Sequence, residues 1–433
     1  MCRDCVLKAT YEIGGIRVSR RRLSLAVVCA VLVVLCTVPA LGAQKVTITF
    51  GNFSAGSDNE ATLAAMKAAF EKANPDIEVK LHSTGYGEYF RLLQTQIAGG
   101  TAPDCYELNY ENFVAFAAKN ALVDLGPLAK TTGVSFSGYD ANALDAFKYN
   151  GKQFGVPGSY SVVLLFYNKD LFDQAKIPYP NDDWTWNDVI EAGKKIRALG
   201  DDIFGIYQPV QFWEFYKTIA QNGGSLFNGD QTKFTVNSPE NIEALQYMVD
   251  KVIKHNIQPT EAQKSGQGDW DIFAAGKVGM IVTGNWAFTF MKDAAKCRWD
   301  VAVEPGNTQK GCHFFSNGYV INESSKKQEA ALRWITWLSS SQESSMLRVE
   351  AGWETPPVSD ESVINAYVAQ RPPENRKAVF DSLKYLVTPP VIEQFNEMAA
   401  IVDLQLEKAR EGEKTPQQAL DDAQRELEQK IKL

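Results

Sequence analysis

The chain has 433 residues, 45% of them hydrophobic and 22% charged, with a formal net charge of −8. That length can bury two separate cores, and the acidic balance argues against a nucleic-acid partner or an anionic membrane surface. Near the N-terminus, Arg20-Arg21-Arg22 precede an apolar run from Leu23 to Leu35, and small residues follow at Ala40, Gly42 and Ala43. This charged, apolar, small-residue order is that of a secretory signal. Residues 1–43 are therefore expected to be a signal peptide, cleaved after Gly42 or Ala43, which makes the periplasm the expected location. The run is shorter than the roughly 20 residues of a membrane span, so an uncleaved anchor is the lesser alternative. Ser19-Arg20-Arg21-Arg22-Leu23 resembles a twin-arginine signal in part, and the general export route suits three arginines equally well.

The mature chain opens with alternating elements. Val46–Phe50 alternates like a strand. Ser57 or Asp58 can cap a helix with Leu63, Met66 and Phe70 on one face, stopped at Asn74-Pro75. Ile77–Leu81 is the next strand, Tyr89–Ala98 a helix ended by Gly99-Gly100, and Cys105–Leu108 a further strand. This order is the grammar of an α/β domain with a largely parallel sheet. Asn150-Gly151 is a strong hairpin signal, since both residues tolerate the positive φ of a type I′ turn. A short strand then runs into a break at Pro157-Gly158, and Val162–Phe166 reads as a strand buried on both faces. A strand that leaves one sheet, breaks and enters another is how a chain crosses between two lobes.

Beyond the crossing, Thr185-Trp186-Asn187-Asp188, Ser238-Pro239 and Thr415-Pro416 each open a helix with a recognisable cap. Arg298–Glu304 and Phe314–Ile321 read as strands on either side of a turn near Gly306. Three cysteines survive processing, Cys105, Cys297 and Cys312. Cys297 and Cys312 are the pair nearest in sequence. In a simple hairpin, however, they would lie about 20 Å apart at ~3.3 Å per residue, whereas a disulfide needs Cα atoms within ~7 Å.

Most catalytic chemistry finds no pattern here. Ala275-Gly276-Lys277-Val278 lacks both the first glycine and the Ser/Thr of a phosphate loop. His82, His255 and His313 lie far apart and read as surface or packing residues, so neither a metal nor a cofactor is expected. The informative surplus is aromatic. An aromatic ring covers the apolar face of a sugar, while carboxylates and amides take its hydroxyls. Trp286 after Gly284-Asn285 is the leading stacking candidate, followed by Trp353 and by Trp213 in Gln211-Phe212-Trp213-Glu214. Trp184, Trp186, Trp334 and Trp337 have helical context and are assigned to packing. Ligands in α/β sheets gather at the carboxyl ends of strands, where Asn52 and Ser54 and the loop from Asn109 to Asn112 fall, although Asn109 could equally cap a helix. Tyr86 and Tyr160 complete the candidate set.

The buried strand running into Tyr167-Asn168-Lys169-Asp170 resembles the first interlobe crossing of the family 1 extracellular solute-binding proteins, which serve sugar-type ABC importers. Ala73–Val79, Ile97–Asp104, Phe273–Met280 with Gly284-Asn285-Trp286, and Gly352-Trp353 with Pro356-Pro357 resemble further family segments in the family's order. Cys105 departs from the pattern, where an aliphatic residue is usual. The resemblance implies a two-lobed α/β clamshell with a multi-segment hinge. Its lobes would be about 44–156 with 299–351, and 157–298 with 352–433. It also implies a monomer that binds a sugar between the lobes, with a polar contact from Glu111 or Asn109 in the loop after Cys105–Leu108, hands it to an ABC permease and performs no chemistry. A glycerol phosphodiester or another polar solute is the alternative ligand. A secreted carbohydrate-active enzyme is the alternative class, and it would need two carboxylates at a set separation.

Overall fold

The computed structural model describes residues 45–433 except Ser57, Asp58, Asp140 and Ser359, together with the strand pair Glu12–Ile13 and Ile16–Arg17. Apart from those four residues the expected signal peptide lies outside the described residues, as do both expected caps of the first helix, Ser57 and Asp58. The chain divides after Val46, and the unit from Thr47 to Leu433 holds every candidate ligand residue.

Strand β1 (Val46–Asn52), helix α1 (Glu60–Ala73), β2 (Ile77–Ser83), α2 (Tyr86–Ala98) and β3 (Cys105–Asn109) follow the predicted alternation. Leu63, Met66 and Phe70 bury one face of α1, which ends at Asn74. Helix α2 starts three residues ahead of its predicted position. Its first turn is wholly exposed, so hydrophobic spacing could not register it. Helix α3 (Tyr110–Ala118) leaves β3 directly. The predicted hairpin forms between Lys148–Tyr149 and Lys152–Gln153, with φ of 48° at Asn150 and 75° at Gly151.

Then come β4 (Gly155–Asn168), α4 (Lys169–Ala175), α5 (Trp186–Arg197), β5 (Phe204–Tyr207), α6 (Phe212–Gln221) and α7 (Pro239–Ile253). The larger elements after them are β6 (Val278–Gly284), β7 (Trp299–Ala302), β8 (Cys312–Ile321), α8 (Gln328–Ser340), α9 (Phe395–Arg410) and α10 (Pro416–Lys430). The predicted caps are in place. Asn168 accepts the N–H groups of Asp170 and Leu171, Ser238 accepts that of Asn241, and Thr185 and Thr415 form capping boxes with Asp188 and Gln418.

Nine strands join in the order β2-β1-β3-β8-β4-β6-β5, with β7 on β4 and the short strand Leu386–Val387 on β8. The predicted break at Pro157-Gly158 is instead a bulge inside one 14-residue strand, β4. The register slips where Asn317 faces Ser159 and Gly318 faces Pro157. A Cβ on Gly158 would lie 2.5 Å from the Tyr319 ring, so only glycine lets the strand pass that ring. The first half of β4 pairs with β8, and its second half pairs with β6 and β7. Residues 299–302 thus sit beside the second half of β4, and the return toward β3 is made by β8 rather than at residue 299.

Because β7 and β8 pair with different parts of β4, the expected hairpin about Gly306 does not form. Cys105, Cys297 and Cys312 are all free; Cys297 Sγ donates to the Phe273 carbonyl at 3.8 Å and Cys312 Sγ to that of Val163 at 3.0 Å.

A third segment joins the crossing at the bulge. Thr355 and Tyr160 exchange backbone hydrogen bonds of 3.0 and 3.2 Å. The Glu354 carboxylate accepts Ser159 Oγ at 2.5 Å and Asn317 Nδ2 at 3.2 Å. Trp334 anchors the core under β1, its ring 5.7 Å from Phe50 and 5.1 Å from Phe70. Trp186 anchors another, stacked on Tyr247 at 4.0 Å. No helix among the described residues is long and apolar enough to cross a membrane.

Candidate functional site

One group of candidates stands at the ends of β1 and β3. Asn52 is buried and donates from Nδ2 to Ser83 Oγ at 3.2 Å, while its Oδ1 has no hydrogen-bond partner. The backbone N–H groups of Phe53 and Ser54 both reach Glu107 Oε2 at 3.1 Å. Asn109 does occupy the cap position of α3, yet its side chain does not cap. Instead Nδ2 donates to the Tyr86 hydroxyl at 3.2 Å and to Glu111 Oε1 at 2.5 Å, and Oδ1 accepts from Asn112 at 2.9 Å. Tyr86 turns that hydroxyl inward while its ring is 56% exposed and edges against Phe53 at 5.4 Å. Burial, and then the Glu111 carboxylate, hold the Tyr86 phenol above its ordinary value.

Glu111 is the most telling member. It is 6% exposed, its Oε2 has no partner, and burial pushes its carboxyl up to about 7 against the lowering effect of its own N–H and of Asn109. A buried acceptor with a free oxygen is costly unless something hydrogen-bonds to it. Glu107 is in the same condition, also pushed up to about 7, first by burial and then by Glu354.

The second group is aromatic. Trp286 follows β6, and its ring folds back over Gly284, where a Cβ would lie 2.1 Å from the indole. Between them Asn285 accepts the Val162 N–H at 2.8 Å and donates to the Tyr367 hydroxyl at 3.2 Å. The Gly-Asn-Trp sequence therefore makes room, ties the site to the crossing strand and presents a ring. Phe315 of β8 lies 5.7 Å from Trp286 and 6.4 Å from Trp213, and His313 stacks on Phe315 at 5.0 Å. Trp213 donates from Nε1 to Gln211 at 2.7 Å and is half-buried. Tyr160, beside the bulge, stacks on Phe314 at 5.8 Å.

Tyr216 of α6 connects the two groups: its ring lies 4.9 Å from His313, and the Glu111 and Tyr86 oxygens act on its hydroxyl. Its buried hydroxyl has no partner, and burial, followed by the Glu111 and Tyr86 oxygens, holds it well above the ordinary phenol value. Asn396 of α9 also reaches Asn112 at 2.9 Å. Trp353 does not join either wall. It is 2% exposed and covered by the Arg348 guanidinium 4.0 Å from its ring, so it packs in the core beneath β1.

Tyr216, Phe315 and His313 were not predicted. Tyr216 follows Trp213 by one helical turn, a signal available in hindsight. The β8 residues gave none, because their neighbours are remote in sequence. His82 is exposed and His255 partly so, and no group of His, Cys, Asp or Glu among the described residues is placed to hold a metal.

Residues 55–344 match the family model described as bacterial extracellular solute-binding protein. The arabinooligosaccharide-binding protein of Bacillus subtilis is 24% identical, over 88% of this chain and 92% of its own length. A solved structure of an ABC substrate-binding protein from Listeria monocytogenes in complex with cycloalternan is 42% identical, with a TM-score of 0.86 over 89% of this chain and 98% of that one. Maltose-bound MalE3 of T. maritima, at 22% identity and a TM-score of 0.77 over 89% of this chain and all of its own, shares the same mixed α/β periplasmic binding protein fold. The match runs from just after β1 to just past α8 and takes in both walls apart from Asn52 and Ser54. The chain therefore belongs to the bacterial extracellular solute-binding proteins, a family that binds its solute without transforming it.

Proposed function

We propose that this protein is the periplasmic substrate-binding component of an ABC importer that holds an oligosaccharide between two lobes and delivers it to a membrane permease. One pairing carries the choice of ligand: an aromatic cluster of Trp213, Trp286 and Phe315, and a buried carboxylate, Glu111, with a free oxygen. Apolar rings suit the C–H faces of sugar rings, and an ionised acceptor suits their hydroxyls. Asn52, Ser54, Tyr86, Asn109 and Tyr160 are the further contacts in this reading, with Tyr216 added. The likeness to cycloalternan-binding and arabinooligosaccharide-binding proteins supports the oligosaccharide class.

The first lobe takes about 44–156 and the chain from within β8 to 351. The second takes the rest of the mature chain, β7 being assigned to it on its pairing with β4. The protein acts as a monomer, freed of its first 43 residues, and closes about the bulge where β4, β8 and Glu354 meet.

A thermal-shift series with cycloalternan, maltose, an arabinooligosaccharide and glycerophosphocholine tests the reading. A ligand that binds only the folded state must raise apparent stability, so a sugar is expected to raise Tm and to shrink the radius of gyration in solution scattering. A rise with glycerophosphocholine and none with any sugar would move the protein to the phosphodiester class.

A further inference from the structure

Helix α6 buries a polar face. Glu214, Lys217, Thr218 and Gln221 are fully buried, and their spacing of three and four residues places them on one side of the helix. Trp213 and Tyr216 occupy the adjoining side and belong to the aromatic wall. Lys217 Nζ donates to Oε1 of both Glu214 and Glu304. Gln208, just beyond β5, donates to Glu214 Oε1 at 2.5 Å and accepts Lys251 Nζ at 2.6 Å. His313 pairs through Nε2 with the Trp213 carbonyl, and its ring lies 4.9 Å from Tyr216. The cluster thus ties α6 to the end of β5, to α7, to the segment after β7 and to β8.

Stability alone does not account for such a cluster. Charges withdrawn from water lose their hydration, and apolar side chains of the same volume usually serve a core as well or better. What they cannot supply is direction, since hydrogen bonds set both the rotation and the axial position of a helix. The rings on α6 need that precision of aim, because Trp213 packs against His313 and Phe315 of β8, and Tyr216, 4.9 Å from His313, carries a buried hydroxyl with no partner in the protein.

We propose that Lys217 is a positioning residue for ligand binding. By bridging Glu214 and Glu304 it sets the rotation of α6 and so aims Trp213 and Tyr216 at the solute. The inference rests on the aromatic wall being the ligand platform, and it gives a role to side chains that touch no ligand.

The test uses fluorotryptophan-labelled full-length mature protein, with Trp213→Phe assigning the Trp213 fluorine resonance. In Lys217→Met that resonance should shift or broaden without ligand, while the Trp334 resonance stays in place. Calorimetric Kd for cycloalternan, measured well below the melting temperature, should rise by about tenfold or more. Glu304→Gln keeps the size of its side chain and should show a smaller change of the same kind, which serves if Lys217→Met does not fold. A Trp213 resonance unmoved in the folded variants overturns the proposal, whatever their Tm, as does a moved resonance with unchanged sugar affinity. If the resonance moves but the wild type binds none of the sugars, the positioning role is supported and the oligosaccharide reading falls.

Discussion

The two walls of the candidate site are built by opposite means. Asn52 ends β1 and Asn109 ends β3, and the two strands pair in parallel, so backbone direction alone delivers both residues to one edge. The aromatic wall has no such shared origin: Trp213 comes from α6, Trp286 from the turn after β6 and Phe315 from β8. Only the packing of β8 along β4 and the seating of α6 bring those rings together. A wall made from strand ends announces itself locally, whereas a wall made from remote segments exists only once the fold does.

Four substitutions can break or sharpen that contrast. The largest expected effect lies behind the polar wall. Trp334→Ala should cost about 3–5 kcal/mol of folding stability, the scale of removing a buried large ring, with sugar affinity unchanged when measured below the melting temperature. A folded Trp334 variant with weakened binding would erase the distinction between core and wall. Trp286→Ala should weaken binding by about 1.5–3 kcal/mol, the scale of burying a large apolar side chain, with a smaller change in Tm. Normal binding together with a collapsed melting temperature would instead place that ring in the core.

Glu111→Gln replaces the carboxyl by an amide that cannot ionise and should lose about 1–2 kcal/mol of sugar affinity at pH 8, where the carboxyl is ionised. It carries a second signature in pH. The carboxyl rises from 4.5 to about 7 on folding, so the folded state binds its proton more tightly than the unfolded chain. Its contribution to stability is present in full below about 4.5 and is lost as pH rises through about 7. Tm should therefore fall between pH 5 and pH 8 less steeply in Glu111→Gln than in the wild type; equal slopes would mean that Glu111 is not held in a dry site. The smallest effect is expected remote from both walls. Thr415→Ala removes the cap of α10 at a cost of about 1 kcal/mol, and its calorimetric Kd should match the wild type.

How much of this could be read from residues follows the same contrast. The caps at Thr185, Ser238 and Thr415, the Asn150-Gly151 hairpin and the buried stretch Val162–Phe166 depend on neighbours a few positions away, and all are present. The position of Asn109 and Glu111 at the end of a strand was legible in the residues, while a ligand contact there was suggested only by the family resemblance. The bulge at Gly158 was legible only as an irregularity, because whether Pro-Gly ends a strand or bends it depends on Tyr319, far along the chain. Trp353 stands beside a glycine in an apparent loop, and only the three-dimensional structure brings Arg348 over its ring. The burial of the α6 polar face has no local signal, since Glu214 and Lys217 have the spacing of a common exposed ion pair.

The place of β8 in the sheet has a consequence for how the protein is made. It fills the gap between β3 and β4, two strands that precede it by well over a hundred residues. A growing chain can have both of those strands complete and still show each of them an open edge until Cys312–Ile321 has emerged. The part of the sheet built from β2, β1 and β3 therefore cannot close before β8 is made, in contrast to the domain-by-domain order usual for chains of this size. The slow, long-range insertion of one late strand joins the two parts of the sheet in a single step, and until then both open edges are free to pair with another chain.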